Sequence, residues 1–503
     1  MEPAPPPHVL CLTRGSQVSE APTLRCWGLG KFSQLAARFA QRIQTGLLAT
    51  GARLPSVRQC AQQQGVSPST VVAAYDQLLA QGLVEAHKNR GFYIRNRAPA
   101  LTQYAQQAAD SIAYQASGAT QPVPPMAQQR APVNATALIR GMFQGSSKLP
   151  QPGLGAFPPD WLETTFLSAA VRRVTSAAQL KAFSQQYGDP AGDLGLRQAL
   201  SARLNALSIP ASPQQILTTV GATHALDIVS RTLLRAGDCV MVEEPGWAIE
   251  FARLDALGMR ILPVPRGPDG PDLAVMARYC EHQAPKLFVS VSVLHNPTGY
   301  CLSPGSAHRL LQLASAHHFT IVEDDTYSHL APDHATRLSA LDGLQRTIYV
   351  SGFSKILAPG WRVGFMAAAP DLYERLLDTK LLATLTTPAL LEKALAWCIE
   401  QGQLRRHAQR VRSRLDQARA RSVKLALAAD CTFAAPPAGL FGWVDTGVDT
   451  DALAQRMLDV GYLLAPGSLF HATRAAGTLM RINFCTTQEA AFWQVFQSVR
   501  AAL

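Results

Sequence analysis

The chain contains no CxxC pair. Its nine cysteines (Cys11, Cys26, Cys60, Cys239, Cys280, Cys301, Cys398, Cys431 and Cys485) are odd in number and dispersed over 503 residues. That pattern argues against a disulfide framework or a zinc site and for reduced thiols in a cytoplasmic protein, so no metal is expected. No uninterrupted apolar run is long enough to span a bilayer, and no membrane partner is expected. The start, Met1-Glu2-Pro3-Ala4-Pro5-Pro6-Pro7, lacks the basic residue and apolar stretch of a secretory signal. Residues 1–24 carry no readable motif. Charged residues are sparse at 16% against 47% hydrophobic, a composition that excludes a disordered chain. At this length two or three domains are expected.

Acidic residues are nearly missing from one stretch. From Arg25 to Arg97 ten Lys/Arg face only Asp76 and Glu85, a net +8 out of +11 for the whole chain. Such a concentration suggests a polyanion partner, and a basic surface kept for solubility is the bland alternative. Within it, Phe32, Leu35, Ala36, Phe39, Ala40, Ile43 and Leu47 recur at three and four, which predicts an amphipathic helix over residues 31–48. A second short helix is expected from Leu54-Pro55-Ser56 to about Gln64. Gly65-Val66-Ser67 then turns, Ser67 caps, Pro68 opens, and residues 69–81 form a third helix closed by Gly82. Residues 83–86 and 91–95 read as strands around the turn His87-Lys88-Asn89-Arg90.

Charge and regular patterning both fade over residues 98–134, which are rich in Ala, Gln, Pro and Ser. Asp110 is among the few charged residues there. This stretch reads as a semi-flexible tether, long enough to let the first module dock on either subunit of a dimer. From residue 135 helices alternate with short apolar strands (residues 239–242, 287–291, 320–322 and 347–350), the signature of an α/β domain with a mostly parallel sheet and its site at the strand ends. Those ends carry unusual residues. Val220-Gly221-Ala222-Thr223 offers backbone N–H groups to a phosphate at a helix start. Pro245-Gly246-Trp247 places an aromatic face, His295-Asn296-Pro297-Thr298-Gly299 an amide, and Glu323-Asp324-Asp325-Thr326-Tyr327 a carboxylate three residues before a phenol. In Ser351-Gly352-Phe353-Ser354-Lys355 a lysine sits in a glycine-flanked turn, with Arg362 seven residues on. A lysine in such a turn, kept deprotonated by burial or nearby cations and set near an anion-binding arginine, suits Schiff-base chemistry with pyridoxal phosphate (PLP). Taken singly, each has a plain reading: a helix-start turn, a core tryptophan, an Asn-Pro turn, a capping acid, surface charges. Together and in this order they carry more weight.

Two resemblances follow. Leu54-Pro55-Ser56-Val57-Arg58, Gly65-Val66-Ser67-Pro68-Ser69-Thr70-Val71, Ala74-Tyr75, Leu78 and Gly82-Leu83-Val84 resemble the GntR family of bacterial transcription factors, winged helix-turn-helix proteins. The resemblance implies that the third helix enters the major groove of a double-stranded operator. Arg58, Ser67, Ser69 and Thr70 would contact DNA, with His87, Lys88 and Arg90 on the wing. Many members carry arginines where this chain has Pro68 and Val72, so guanine readout from those positions is not expected. The second set, over residues 135–503, resembles the fold-type I PLP aminotransferases. By that resemblance Lys355 would form the Schiff base with PLP, and Asp324 would hold the pyridine nitrogen protonated. Asn296 and Tyr327 would bond the ring hydroxyl, and Trp247 would stack on the ring. Ala222, Thr223, Ser354 and Arg362 would hold the phosphate, and Arg481 in Met480-Arg481-Ile482-Asn483 a substrate carboxylate. Tyr187 would reach the phosphate of a neighbouring subunit, implying a homodimer. Gly352 departs from the serine or threonine many relatives place three residues before the lysine, with Ser351 or Ser354 as substitutes.

A winged helix over residues 25–97, a tether over 98–134 and an aminotransferase-like domain over 135–503 is the arrangement of the MocR family of bacterial PLP-dependent regulators. What the resemblance implies is a homodimer that binds operator DNA and senses an amino acid, an amine or PLP itself. A functional aminotransferase with a secondary winged helix is the alternative.

Overall fold

The computed structural model describes residues 31–44, 48, 51–87, 90–95 and 149–503, apart from 163, 177, 179 and 182–184. Residues 1–24, the expected tether at 98–134 and Lys88 on the wing lie outside the described residues. The chain divides into two compact units, Met1–Arg130 and Ala131–Leu503.

In the first unit α1 (Lys31–Gln44), α2 (Val57–Gln64) and α3 (Pro68–Ala80) precede a hairpin of β1 (Val84–His87) and β2 (Gly91–Ile94). The amphipathic spacing does its work here: Leu35, Ala36 and Phe39 of α1 pack with Val71, Ala74, Tyr75 and Leu78 of α3. Tyr75 is the keystone. Its ring meets Phe39 and Phe92 edge-on at 5.7 and 5.1 Å, and its hydroxyl donates to the Pro55 carbonyl at 2.9 Å. Helix α1 matches the expected span as far as Gln44, and residues 45–47 of that span lie outside the described residues. Two boundaries differ from expectation. Leu54 and Pro55 precede α2: Ser56 is its N-cap, and the Leu54 N–H donates instead to Phe92 of the hairpin. His87 lies in β1 and not in the turn. Ser67 caps α3 as expected, accepting from the Thr70 N–H.

The second unit is built on a seven-stranded sheet ordered β3-β9-β8-β7-β6-β4-β5. The strands are β3 (Ile216–Thr219), β4 (Cys239–Glu244), β5 (Arg260–Pro265), β6 (Leu287–Ser290), β7 (Thr320–Asp324), β8 (Thr347–Gly352) and β9 (Gly364–Ala367). Strands β4 to β8 are parallel, and β9 runs antiparallel to both β3 and β8. Buried clusters cover both faces: Leu217, Val240, Val242, Val289 and Val322 on one, Met241, Val264, Phe288, Phe319 and Ile321 on the other. This two-sided burial explains why the strands read as continuous apolar runs. Two strands continue past their expected ends, β7 to Asp324 and β8 to Gly352, and so deliver site residues at their tips. A smaller antiparallel sheet, β10 (Thr432–Phe433), β11 (Phe441–Asp445), β12 (Ala465–Pro466) and β13 (Leu479–Asn483), supplies Phe441 and Arg481. Among the described residues no helix is long and apolar enough to cross a membrane.

Candidate functional site

The tip of β7 carries three consecutive acids, and side-chain alternation separates their tasks. Glu323 is fully buried and accepts from the Ser292 hydroxyl and the Leu338 and Ser339 N–H groups. Asp325, on the same side, accepts from the Arg337 guanidinium at 2.6 Å and the Tyr349 hydroxyl at 2.9 Å. Both are anchors. Asp324 faces the other way, into a slot lined by Val242, Val289, Trp247 and His295. Burial pushes its carboxyl up to about 6, although the Thr326 hydroxyl and N–H both donate to it and oppose the shift.

Lys355 follows β8 across from Asp324. Burial brings its ammonium down to about 8, helped by the Arg481 and Arg362 cations and opposed by Asp324. Its Nζ donates to the Gly155 carbonyl at 2.6 Å. Arg481, in β13, lies buried with its guanidinium 4.4 Å from the Phe441 ring and 5.1 Å from that of Phe470. It donates to the Asn296 side-chain oxygen at 3.1 Å and to the Gly153 carbonyl at 2.5 Å, while Nε has no hydrogen-bond partner. Tyr327 is buried edge-on against Phe441, and burial raises its phenol.

Residues 153–156 were not anticipated. They lie across the site as a strap: besides the Gly153 and Gly155 carbonyls, those of Leu154 and Ala156 accept from the Asn483 amide. A Cβ on Gly153 would stand 2.5 Å from the Leu464 backbone, so the strap's approach demands glycine there. The Pro152-Gly153-Leu154-Gly155 run was the signal available in the sequence.

At the far end, helix α4 (Ala222–Leu233) opens with Gly221 at φ +85°, leaving the Ala222 and Thr223 N–H groups at its start. A Cβ on Gly364 would sit 2.7 Å from the Ala222 nitrogen. Arg362 donates to the Ser354 hydroxyl at 3.1 Å and the Val220 carbonyl at 3.2 Å beside this helix start. The donor set suits a phosphate: a helix N-terminus, a guanidinium, and a hydroxyl whose proton stays free because Ser354 accepts from Arg362. Ser351 cannot supply the hydroxyl that Gly352 lacks, since its own buried hydroxyl donates to the Asp325 carbonyl at 2.8 Å. Ser354→Ala should therefore loosen PLP by about threefold to tenfold, one hydrogen bond's worth. Ser351→Ala should leave PLP affinity unchanged. Equilibrium dialysis of the two variants checks both, and equal losses would return the phosphate contact to Ser351.

The structure links Asn296, Asp324, Tyr327, Lys355 and Arg481 through hydrogen bonding and charge, sets Trp247 beside Asp324 in the slot, and groups Ala222, Thr223, Ser354 and Arg362 at the helix start. Together they fit PLP: a buried carboxyl for the ring nitrogen, a lysine near neutral pKa, an anion cradle, and an orphaned guanidinium nitrogen for a carboxylate. Tyr187 stands apart, 83% exposed and without a contact in this cluster.

In the first unit Arg58 is exposed at the second position of α2, and Arg90 is exposed at the hairpin. The hydroxyls of Ser67, Ser69 and Thr70 are tied to one another, Ser67 to Ser69 at 2.8 Å and to Thr70 at 2.7 Å. His87 holds the Glu85 carboxylate at 2.9 Å and meets Tyr93 edge-on.

Two family profiles match: aminotransferase class I and II over residues 158–493, and bacterial regulatory proteins, gntR family, over residues 31–94. The HTH-type transcriptional regulator YdfD of Bacillus subtilis is 26% identical over 91% of this chain and 92% of its own length. The 2-aminoadipate transaminase of Thermus thermophilus is 30% identical over 69% of this chain and 86% of its own. A crystal structure of LysN, the alpha-aminoadipate aminotransferase of the same species complexed with N-(5'-phosphopyridoxyl)-L-leucine, covers 73% of this chain and 96% of its own with a TM-score of 0.66 at 23% identity, a likeness of fold.

Proposed function

The chain belongs to the aminotransferase class I and II family, with a gntR-family domain ahead of it, and on that premise we propose a transcriptional regulator that binds DNA through the winged helix and senses an amino acid, an amine or PLP in the aminotransferase-like domain. PLP is its cofactor, an electron sink for bonds to a substrate α-carbon when bound. Lys355 would hold it, Asp324 keep its ring nitrogen protonated, and the α4 start with Arg362 and Ser354 bind its phosphate. Arg481 would take the ligand carboxylate. Its homodimer would let Tyr187 complete the partner's phosphate site.

The observation that carries sensing is the strap. Arg481 and Lys355, the two cations a ligand must engage, both donate to carbonyls of residues 153–155. A carboxylate at Arg481 competes directly with the Gly153 carbonyl. In sequence the strap follows the stretch that joins the two units, so its displacement provides a route from ligand to DNA. A coupling of about 1–3 kcal/mol changes DNA affinity by about 5-fold to 150-fold.

The test titrates PLP-loaded protein with each common amino acid while following absorption and DNA affinity. An effector should shift both, and Arg481→Ala should remove the response while leaving ligand-free DNA binding intact. Arg58→Ala should weaken DNA binding with or without ligand. If amino acids are instead turned over to keto acids with DNA affinity unmoved, the aminotransferase reading takes precedence. Lys355 favours that second reading, because an amine poised near pKa 8 is also suited to act as a general base.

A further inference from the structure

Helix α5 (Gln403–Ala428) carries eight Lys/Arg and a single acid, Asp416. Its net +7 and the +8 of residues 25–97 together exceed the chain's total of +11, so everything else is net acidic. The helix is two-faced. Leu404, Ala408, Val411, Leu415 and Ala418 are buried in the domain core. The outer face forms an open groove of about 600 Å³ lined by Arg406, Gln409, Arg410, Ser413, Arg414 and Gln417, without one acidic or apolar side chain.

We propose that this face is a second DNA-backbone contact, carried by the aminotransferase-like domain itself. It rests on the DNA-binding reading above and extends it to a second surface. Arg406, Arg410 and Arg414 follow one another at i, i+4, a like-charge spacing that destabilises an isolated helix. Some neutralisation is internal: Arg414 pairs with Asp160 at 2.5 Å and Arg419 with Asp416 at 2.6 Å, while Arg406 donates to the Gln401 carbonyl and Arg412 to that of Ala331. Arg405, Arg410, Arg421 and Lys424 have no ion-pair partner among the described residues, and all four are exposed. From Arg405 to Lys424 the helix runs about 28 Å, close to one turn of duplex DNA. The groove's chemistry favours a phosphate backbone over other occupants. A membrane surface needs apolar side chains beside the cations, and a protein partner needs apolar or aromatic anchors. The groove offers neither.

The experiment measures binding of the full-length, PLP-loaded protein to mixed-sequence duplexes of about 20 and about 60 base pairs across a salt series. The variants are Arg406→Gln/Arg410→Gln/Arg421→Gln, the matching triple lysine variant, and Arg58→Ala. Glutamine keeps helix propensity and lysine keeps charge, and an unchanged PLP absorption band reports the fold. For the glutamine variant the expected result is at least a tenfold loss on the long duplex near 0.15 M salt. Its log–log salt slope should flatten by about three, one per arginine, with the short duplex unaffected and the lysine variant restored. If the glutamine variant binds both duplexes like wild type while Arg58→Ala weakens both, the α5 contact is overturned and the winged-helix reading stands. If wild type binds neither duplex, the DNA-binding reading falls and the α5 contact with it.

Discussion

Lys355→Ala should leave the protein unable to attach PLP covalently: after mixing with PLP, borohydride reduction and gel filtration, no label remains on the chain. Lys355 is the buried amine across from Asp324, and burial with Arg481 and Arg362 nearby brings its pKa down to about 8. An amine attacks a carbonyl only when neutral, so the wild-type rate of PLP capture should climb with pH through a midpoint near 8. An unperturbed lysine would place that midpoint near 10.4. Binding of DNA without ligand should survive in the alanine variant, since the winged helix has its own core around Tyr75. Capture of PLP that persists after Lys355→Ala, or a midpoint near the ordinary lysine value, would remove Lys355 from the role.

Legibility of the sequence varied with what set each feature. The third helix of the winged helix is readable to within a residue or so, because Ser67, Pro68, Gly65 and Gly82 act through local backbone geometry. Where a neighbour decides, reading stopped short. Leu54 and Pro55 look like helix openers, yet Leu54 pairs with the hairpin some 40 residues on. Pattern and resemblance single out Asp324, three residues before Tyr327, yet give no task to the other two of the three consecutive acids, Glu323 and Asp325. Only the partners Ser292, Leu338, Ser339 and Arg337, remote in sequence, make two of them anchors. Ser351 and Ser354 were equivalent on the page for the same reason. The strap at residues 153–156 acts through backbone carbonyls, which no side-chain motif advertises. The charge on α5 was hidden by averaging, because a near-balanced total over residues 98–503 conceals one strongly cationic helix.

Asp324→Asn should have opposite effects with and without PLP. Burial raises the Asp324 carboxyl from 3.8 to about 6. A raised folded-state pKa means the folded protein holds the proton more tightly than the unfolded chain. That contribution is fully present below pH 3.8 and is lost as pH rises through about 6. At pH 8 the PLP-free wild type therefore carries a buried carboxylate that costs up to about 3 kcal/mol relative to a neutral group. Asparagine removes the charge and keeps an oxygen able to accept from the Thr326 N–H and hydroxyl. In urea the PLP-free variant should thus unfold at a higher midpoint than wild type at pH 8, with the gap closing near pH 4. Adding PLP should reverse the order. The wild-type carboxylate then gains a protonated ring nitrogen as partner, and tight binding stabilises the folded state by mass action, about 2.7 kcal/mol at a hundredfold excess over Kd. Asparagine cannot hold that nitrogen protonated, so its midpoint should move far less. A PLP-free wild type more stable than the variant at pH 8 would show that Asp324 is already paired within the protein, and would end its assignment to the ring nitrogen.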